Sequence, residues 1–166
     1  NLPNVWAIGD VTGRSLLAHA AYRMADIVSA HIIDPVRAAL SGEVFRDRMI
    51  PWAVYSMPEA AGVGLSETAA KEQGHKVSVA TVPLVLSGRF VAENGLKGTG
   101  AVKIVTDADT RALLGIHMVG PYAPETIWGA AGVLESEFTV DDLRQVVFPH
   151  PTVSEGIREA AWAIGD

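Results

Sequence analysis

The sequence predicts an α+β domain in which an antiparallel sheet has helices packed on one side, preceded by a short strand–helix segment. Three observations support this prediction. One strand and one helix pattern open the chain, short strand-like apolar segments fill its middle, and helical patterns dominate its end. Hydrophobic residues make up 49% of the 166 residues and charged residues 19%, so we expect a packed core rather than disorder.

The first part of the chain is predicted to hold one strand and one helix. Residues 5–8 are apolar and predict a short buried strand. Apolar residues then recur with helical spacing over residues 15–33, where Ser15 is the predicted N-cap. The charged and mixed stretch 34–47 is interpreted as a connector to the rest of the chain.

Apolar patterning in the middle of the chain predicts the strands of the sheet. The predicted strands are residues 52–55, 60–63, 75–85, 101–106 and 112–119. An Asp-rich turn between the last two is typical of a hairpin connection. A short helix after the second strand has Ser66 as its predicted N-cap and Gly74 as its stop.

Helical patterns account for the remaining residues. The predicted helices are residues 124–138, 139–147 and 152–164. Pro124 lies near the first turn of its helix, where a missing N–H costs nothing. Thr139 and Thr152 are the predicted N-caps of the two helices that follow.

Composition excludes several classes of protein. The net charge of −6 argues against a nucleic-acid surface, and the short, interrupted apolar runs predict no membrane span. The absence of cysteine excludes disulfides, thiolate metal sites and a cysteine nucleophile within this sequence, and it fits a cytoplasmic protein. The chain starts at Asn1 without Met or a signal peptide, so we expect this end to be a cut end.

Two glycine-containing segments were considered as ligand sites. The predicted first strand ends in Gly9 and Asp10, which places a carboxylate where ligand hydroxyls bind at a sheet edge, although such a pair is most often only a turn. The helix start behind it offers backbone N–H groups to a ligand. The segment GVGLSE at 62–67 lacks the third glycine of a dinucleotide fingerprint, so a tight turn explains it better.

The segment HPTVSE holds the strongest candidate site. His150 lies between Pro149 and Pro151, which restrict its backbone, and Glu155 follows one turn into the predicted helix. A carboxylate there can bond one imidazole nitrogen and fix the tautomer, which is the orienting half of an acid–base dyad. Thr152 and Glu155 also form a capping-box pattern, and this purely structural role of Glu155 stays open.

The ordered segments NVWAIGDV, LLAHAAYRMADIVSAHI, IPWAVYSMPEAAGVGLSE, GAVKIV, LLGIHMVGPYAPE and HPTVSE resemble the C-terminal part of the pyridine nucleotide–disulfide oxidoreductases. Within that family the motifs are most similar to the dihydrolipoamide dehydrogenases, and glutathione reductases share the HPT ending. The resemblance implies two parts: residues 1–46 as the C-terminal remnant of an FAD-binding domain, and residues 50–166 as an interface domain that forms a homodimer.

The resemblance also implies the roles of individual residues. His150 is the catalytic acid–base and Glu155 its orienting partner, and the pair acts in trans across the dimer. In the FAD part, Asp10 after Gly9 bonds the ribityl chain, and the backbone at Leu17 and Ala18 lies near the flavin ring. Electrons from dihydrolipoyl groups on proteins of 2-oxo acid dehydrogenase complexes then pass through a disulfide and FAD to NAD.

The sequence departs from the family pattern in four respects. It contains no glycine-rich FAD fingerprint, no Cys-x4-Cys pair and no NAD domain, so we expect the chain alone to be inactive and to lack FAD. Phe148 occupies the place of a second histidine found in many lipoamide enzymes. A non-catalytic dimerisation module is therefore the alternative. We expect an apolar association surface at Trp128, Val133, Leu134 and residues 148–151.

Overall fold

The computed structural model describes residues 2–165, which divide into two compact units. The first unit ends at Ile50 and the second begins at Pro51. Two residues, Asn1 and Asp166, lie outside the described residues. They are the outer bounds of the two predicted domains, and Asn1 is also the predicted cut end. Within the described part of the chain, no helix combines the length and the apolar character that crossing a bilayer requires.

The first unit is helical. Helix α1 spans Ala18–Ile33 and helix α2 spans Pro35–Ser41, with 3-10 turns at Gly9–Thr12 and Asp47–Met49. Helix α2 lies in the stretch that was predicted to be a connector, and that prediction is wrong. The Asp34 side chain accepts a hydrogen bond from the Arg37 N–H, and a proline follows the cap, so a local N-terminal signal explains this helix.

Two further predictions for the first unit are wrong. Residues 5–8 form no strand and are exposed, because no strand in the described residues of this unit offers them a hydrogen-bonded neighbour. Ser15 is not a helix cap: helix α1 begins after Leu17, whose side chain makes no capping bond.

The second unit contains a five-stranded sheet in which each neighbouring pair is antiparallel. Its strands are β1 (Trp52–Val54), β2 (Ala60–Gly64), β3 (Val77–Pro83), β4 (Ala101–Asp107) and β5 (Leu113–Val119), in the order β1-β2-β5-β4-β3. The Asp107 carboxylate accepts hydrogen bonds from the backbone N–H groups of Asp109 and Thr110, so the Asp-rich turn is a self-bonded link between β4 and β5.

Five helices surround this sheet. They are α3 (Glu67–Glu72), α4 (Gly88–Asn94), α5 (Ala123–Glu135), α6 (Val140–Gln145) and α7 (Glu155–Ala163). Helix α5 packs on β2 and β5, and α7 packs on β3 and β4. The predicted α+β fold with an antiparallel sheet is confirmed. Helix α4 was not predicted, because its seven residues carry little helical patterning.

The core lies mainly between the sheet and helices α5 and α7. Val102 and Ile104 of β4 are fully buried there, together with Ile116 of β5. On strand β4, Val105 alternates to the opposite face and joins a smaller cluster with Ala70 of α3. The helix that begins at Glu155 is thus held in this core by its buried residues Ile157, Ala160 and Ala161.

The C-terminal end of α7 is fixed by charged groups. Arg144 donates hydrogen bonds to the carbonyls of Ala161 and Ile164, at 3.1 and 2.6 Å. Asp141 accepts from Arg144 at 2.9 Å and from both Nε and Nη2 of Arg111. These bonds hold the pKa of Asp141 below its ordinary value, with Arg111 the main cause. Because the helix is short, its end constrains the position of its first residue.

Gly156 allows the first turn of α7 to approach the sheet. A Cβ atom there would lie 2.8 Å from Leu84 Cδ2 and 2.9 Å from Val102 Cγ2, and both side chains are fully buried. A Cβ atom added at Gly132 on α5 would instead have no neighbouring atom within 4 Å.

We expect Gly156→Ala to destabilise the second unit, because the crowding cost of roughly 1–3 kcal/mol exceeds the helix-propensity gain of about 1 kcal/mol. Gly132→Ala gains the higher helix propensity of alanine without crowding a neighbour, so we expect it to raise the free energy of unfolding by about 0.5–1 kcal/mol. Urea denaturation of the two variants measures both effects. Equal stabilisation by the two substitutions would contradict the close packing of α7.

Candidate functional site

His150 and Glu155 form a hydrogen-bonded pair at the start of α7. His150 Nδ1 lies 2.8 Å from Glu155 Oε1. The imidazole side chain is 77% exposed, whereas the Glu155 side chain is only 19% exposed. The peptide bond between His150 and Pro151 is cis. An exposed ring is therefore held by a largely buried carboxylate.

The partner of Nδ1 determines the role of the other ring nitrogen. A carboxylate only accepts, so Nδ1 carries the proton in this pair, and Nε2 carries the lone pair of the neutral ring. When Nε2 takes up a proton, the ring becomes a cation next to the Glu155 carboxylate, which stabilises it. The arrangement is that of a general base with an orienting acid.

The second oxygen of Glu155 is bonded to the backbone. Oε2 accepts a hydrogen bond from the Thr152 N–H at 2.9 Å, and the Thr152 hydroxyl donates to the Pro149 carbonyl at 2.7 Å. The pKa of Glu155 is held below the ordinary value of a glutamate, first by the Thr152 N–H and then by His150, while burial opposes the shift. Glu155 therefore stays ionised near neutral pH.

The predicted capping box is only half formed. The Glu155 carboxylate reaches back to the Thr152 N–H as predicted, but the Thr152 hydroxyl bonds the Pro149 carbonyl and not the N–H of Glu155. Helix α7 begins after Ser154, whose side chain makes no capping bond. The hydroxyl instead closes the turn before the helix, which shapes the segment that carries His150.

An apolar groove of about 560 Å³ lies beside the pair. Its lining includes Trp128, Val133, Phe148, Pro149 and Pro151. Trp128 is 74% exposed, which agrees with its predicted place on the surface. Leu134 was predicted on this surface as well, but it is buried in the core next to Gly64, because it occupies the sheet-facing side of α5.

The residues predicted to contact flavin lie in the first unit. Gly9 is buried with a φ of 70°, and its N–H donates to the Met24 Sδ of α1 at 3.2 Å. Asp10 is exposed in the 3-10 turn that follows, and Leu17 and Ala18 lie at the start of α1. An exposed carboxylate and the open N–H groups of a helix start are donor and acceptor types that fit ligand hydroxyls and carbonyls. The flavin role of these residues stays a prediction.

Sequence reasoning missed a second histidine–carboxylate pair. His75 Nδ1 lies 2.8 Å from Asp107 Oδ2. Hydrogen bonds from Thr110 and His75 lower the pKa of Asp107 to about 2. The two residues are 32 positions apart, so only the pairing of β3 with β4 brings them together. Among residues 2–165, no group of three or more acidic or histidine side chains could hold a metal ion.

We expect the Glu155 side-chain carboxyl to titrate below the ordinary glutamate range, as measured by ¹³C NMR. Since its pKa is lowered by folding, Glu155 contributes stability above its unfolded pKa, and this is lost as pH falls through the folded pKa. His150→Ala should raise the Glu155 pKa only in part, because the Thr152 N–H remains. His75→Ala is the matched control and should leave the Glu155 titration unchanged.

Comparison with known proteins places this chain in a family. Residues 50–161 match the profile of the pyridine nucleotide-disulphide oxidoreductase dimerisation domain. A dihydrolipoyl dehydrogenase of Thermus scotoductus is 43% identical over 162 residues, covering 98% of this chain and 33% of the relative. That of Bacillus subtilis is 40% identical over 162 residues, covering 96% of this chain and 32% of the relative.

Solved structures agree with this assignment. LpdA of Mycobacterium tuberculosis superposes with a TM-score of 0.79 at 28% identity, over 95% of this chain and 33% of that structure. The HOCl-induced flavoprotein disulfide reductase RclA of Escherichia coli superposes with a TM-score of 0.80 at 26% identity, over 96% of this chain and 35% of that structure. The chain spans about a third of the length of the relatives it matches. It belongs to the pyridine nucleotide-disulphide oxidoreductase family, with the family's dimerisation domain at residues 50–161.

Proposed function

We propose that this chain is the C-terminal part of a flavin-dependent dihydrolipoyl dehydrogenase and supplies His150 and Glu155 as an acid–base dyad. The observation that carries the proposal is the 2.8 Å bond between His150 Nδ1 and Glu155 Oε1, made by an imidazole that is otherwise exposed. The similarity to dihydrolipoyl dehydrogenases over nearly the whole chain supports this choice of activity.

In the proposed reaction, His150 Nε2 accepts the proton of a dihydrolipoyl thiol, because the thiolate is the attacking species in disulfide exchange. Glu155 holds the ring through Nδ1 and stabilises the resulting imidazolium. The thiolate attacks the redox disulfide of the parent enzyme and forms a mixed disulfide, and the second lipoyl thiol then displaces the enzyme sulfur. The lipoyl disulfide forms, the enzyme disulfide is broken and takes up the two electrons, and the two thiol protons go to His150 and to a released enzyme sulfur. FAD would supply the route from the reduced disulfide to NAD in the parent enzyme. Asp10 and the backbone at Leu17 and Ala18 are the residues of this chain that would hold it.

The sequence contains no cysteine, so the dyad serves redox chemistry located elsewhere. We propose that it acts across a homodimer, in the active site of the partner subunit. Pro149 and Pro151, which flank His150, also line the apolar groove beside Trp128. A second copy covering this groove would bring the dyad to the boundary between the subunits. The family profile, a dimerisation domain, supports this arrangement.

Further parts of the proposal concern the parent enzyme. Lipoyl-bearing proteins of 2-oxo acid dehydrogenase complexes are its proposed partners, NAD is its proposed electron acceptor, and the cytoplasm is its predicted location. The chain alone is expected to be inactive and without FAD. Another flavoprotein disulfide reductase is the second candidate, and the similarity to RclA favours it. Glutathione reductase-like activity and a purely structural dimerisation role are the remaining alternatives.

The dyad is tested in a chimera in which this chain replaces the matching third of the Thermus scotoductus enzyme. We expect the chimera to reduce NAD with dihydrolipoamide, and His150→Gln to lower kcat/KM by roughly 10²–10⁴-fold, the usual contribution of a general base. His75→Gln is the matched control. Flavin absorbance and sedimentation verify assembly of each variant. Wild-type turnover by an assembled His150→Gln chimera would contradict the catalytic role.

The association surface is tested on the chain itself by sedimentation. We expect a dimer whose dissociation constant rises about 30-fold or more on Trp128→Glu, because a central aromatic side chain is typically worth about 2 kcal/mol or more at an interface. Trp162→Ala is the control, since Trp162 is also exposed but does not line the groove. A monomer at high concentration, or equal weakening by both variants, would exclude the proposed surface.

A further inference from the structure

Ser87 connects helix α4 to the segment that carries the dyad. Its hydroxyl donates a hydrogen bond to the Thr152 carbonyl at 2.9 Å, across 65 positions of the sequence. Ser87 is 1% exposed, so this bond lies inside the protein and does not compete with bulk water. The same oxygen accepts the N–H of Phe90 at 3.3 Å and thereby caps α4.

Three consecutive hydrogen bonds connect Ser87 to His150. Thr152 accepts from Ser87 through its carbonyl and donates its N–H to Glu155 Oε2 at 2.9 Å. Glu155 then holds His150 Nδ1 through Oε1 at 2.8 Å. The Glu155 N–H also donates to the Thr152 carbonyl, at 3.4 Å, which is a long contact. Ser87 is therefore the stronger of the two anchors of this carbonyl.

Helix α4 is itself fixed in the core. Phe90 is fully buried, and Leu84 in the preceding turn is fully buried as well. Leu84 also lies against Gly156, the second residue of α7. Ser87 thus stands on a rigid element that already contacts the helix of the dyad, and its hydroxyl has little freedom to follow a movement of Thr152.

We propose that Ser87 is a positioning residue for the His150–Glu155 dyad. Its hydroxyl fixes the Thr152 carbonyl and, through the backbone of that residue, the Thr152 N–H that holds the Glu155 carboxylate, which in turn holds the imidazole. The catalytic meaning of this role rests on the proposed function, whereas the geometric role does not. Ser87 itself touches neither imidazole nor carboxylate, so it acts only through Thr152.

Two variants separate the stability of α4 from the bond to Thr152. Ser87→Ala and Ser87→Gly both remove the hydroxyl and with it both hydrogen bonds. Glycine is tolerated at a helix N-cap much better than alanine, so Ser87→Gly loses the bond to the carbonyl while α4 is largely preserved. Ser66→Ala is the control, because Ser66 caps α3 through Ala69 in the same way and lies away from the dyad. All three are made in the chain itself and compared by NMR and by thermal unfolding.

We expect the Thr152 amide to exchange with solvent about tenfold faster in Ser87→Ala and Ser87→Gly, the equivalent of one lost hydrogen bond. The Glu155 carboxyl should titrate closer to an ordinary glutamate in both, and as in wild type in Ser66→Ala. Unchanged Glu155 titration in folded Ser87→Gly would overturn the proposal. If the titration shifts while His150→Gln leaves the chimera's turnover intact, the positioning role stands and the proposed function fails.

Discussion

The geometry of the site depends on how Glu155 divides its two carboxylate oxygens. One oxygen is bonded to the Thr152 N–H and the other to His150 Nδ1. A carboxylate bonded only to the ring would rotate with it, and a carboxylate bonded only to the backbone would leave the ring free. Because both oxygens are occupied, the imidazole takes its orientation from the backbone at the start of α7.

The surrounding fold makes this backbone rigid while leaving the ring accessible. Val153 and Ile157 are buried on either side of Glu155, and Arg144 holds the far end of the helix through two carbonyls. His150 projects from this support with most of its side chain exposed. A base meant for a substrate within its own core would not need such exposure. The contrast between a buried anchor and an exposed ring therefore favours a reaction partner outside this unit.

The sequence allowed prediction of those features that depend on local interactions. Ser66 and Thr139 cap their helices as predicted, because a cap bonds only two or three residues ahead. The pairing of His150 with Glu155 was likewise accessible, because the two residues lie only five positions apart in the sequence. Other predictions failed for two different reasons. Residues 5–8 have strand-like composition, but no strand in the described part of their unit pairs with them. The Thr152 hydroxyl has a competing local acceptor, the Pro149 carbonyl three positions back, and bonds it in place of the helix N–H that capping statistics favour. Ser87 carries no local signal for its bond to Thr152, since only the folded chain brings them together.

Covering the groove beside the dyad in the proposed dimer would change the electrostatic environment of His150 and Glu155. In the proposed dimer, a second copy over Trp128 and Phe148 would displace water from one side of His150 and Glu155. A lower local dielectric strengthens the attraction between an imidazolium and a carboxylate, and it also raises the cost of leaving either group unpaired. The bond from Thr152 to Glu155 then matters more than in the monomer, because it keeps the carboxylate ionised against the desolvation that burial imposes. An acid–base pair that is only oriented in the monomer would thus become fully effective when the partner subunit covers it.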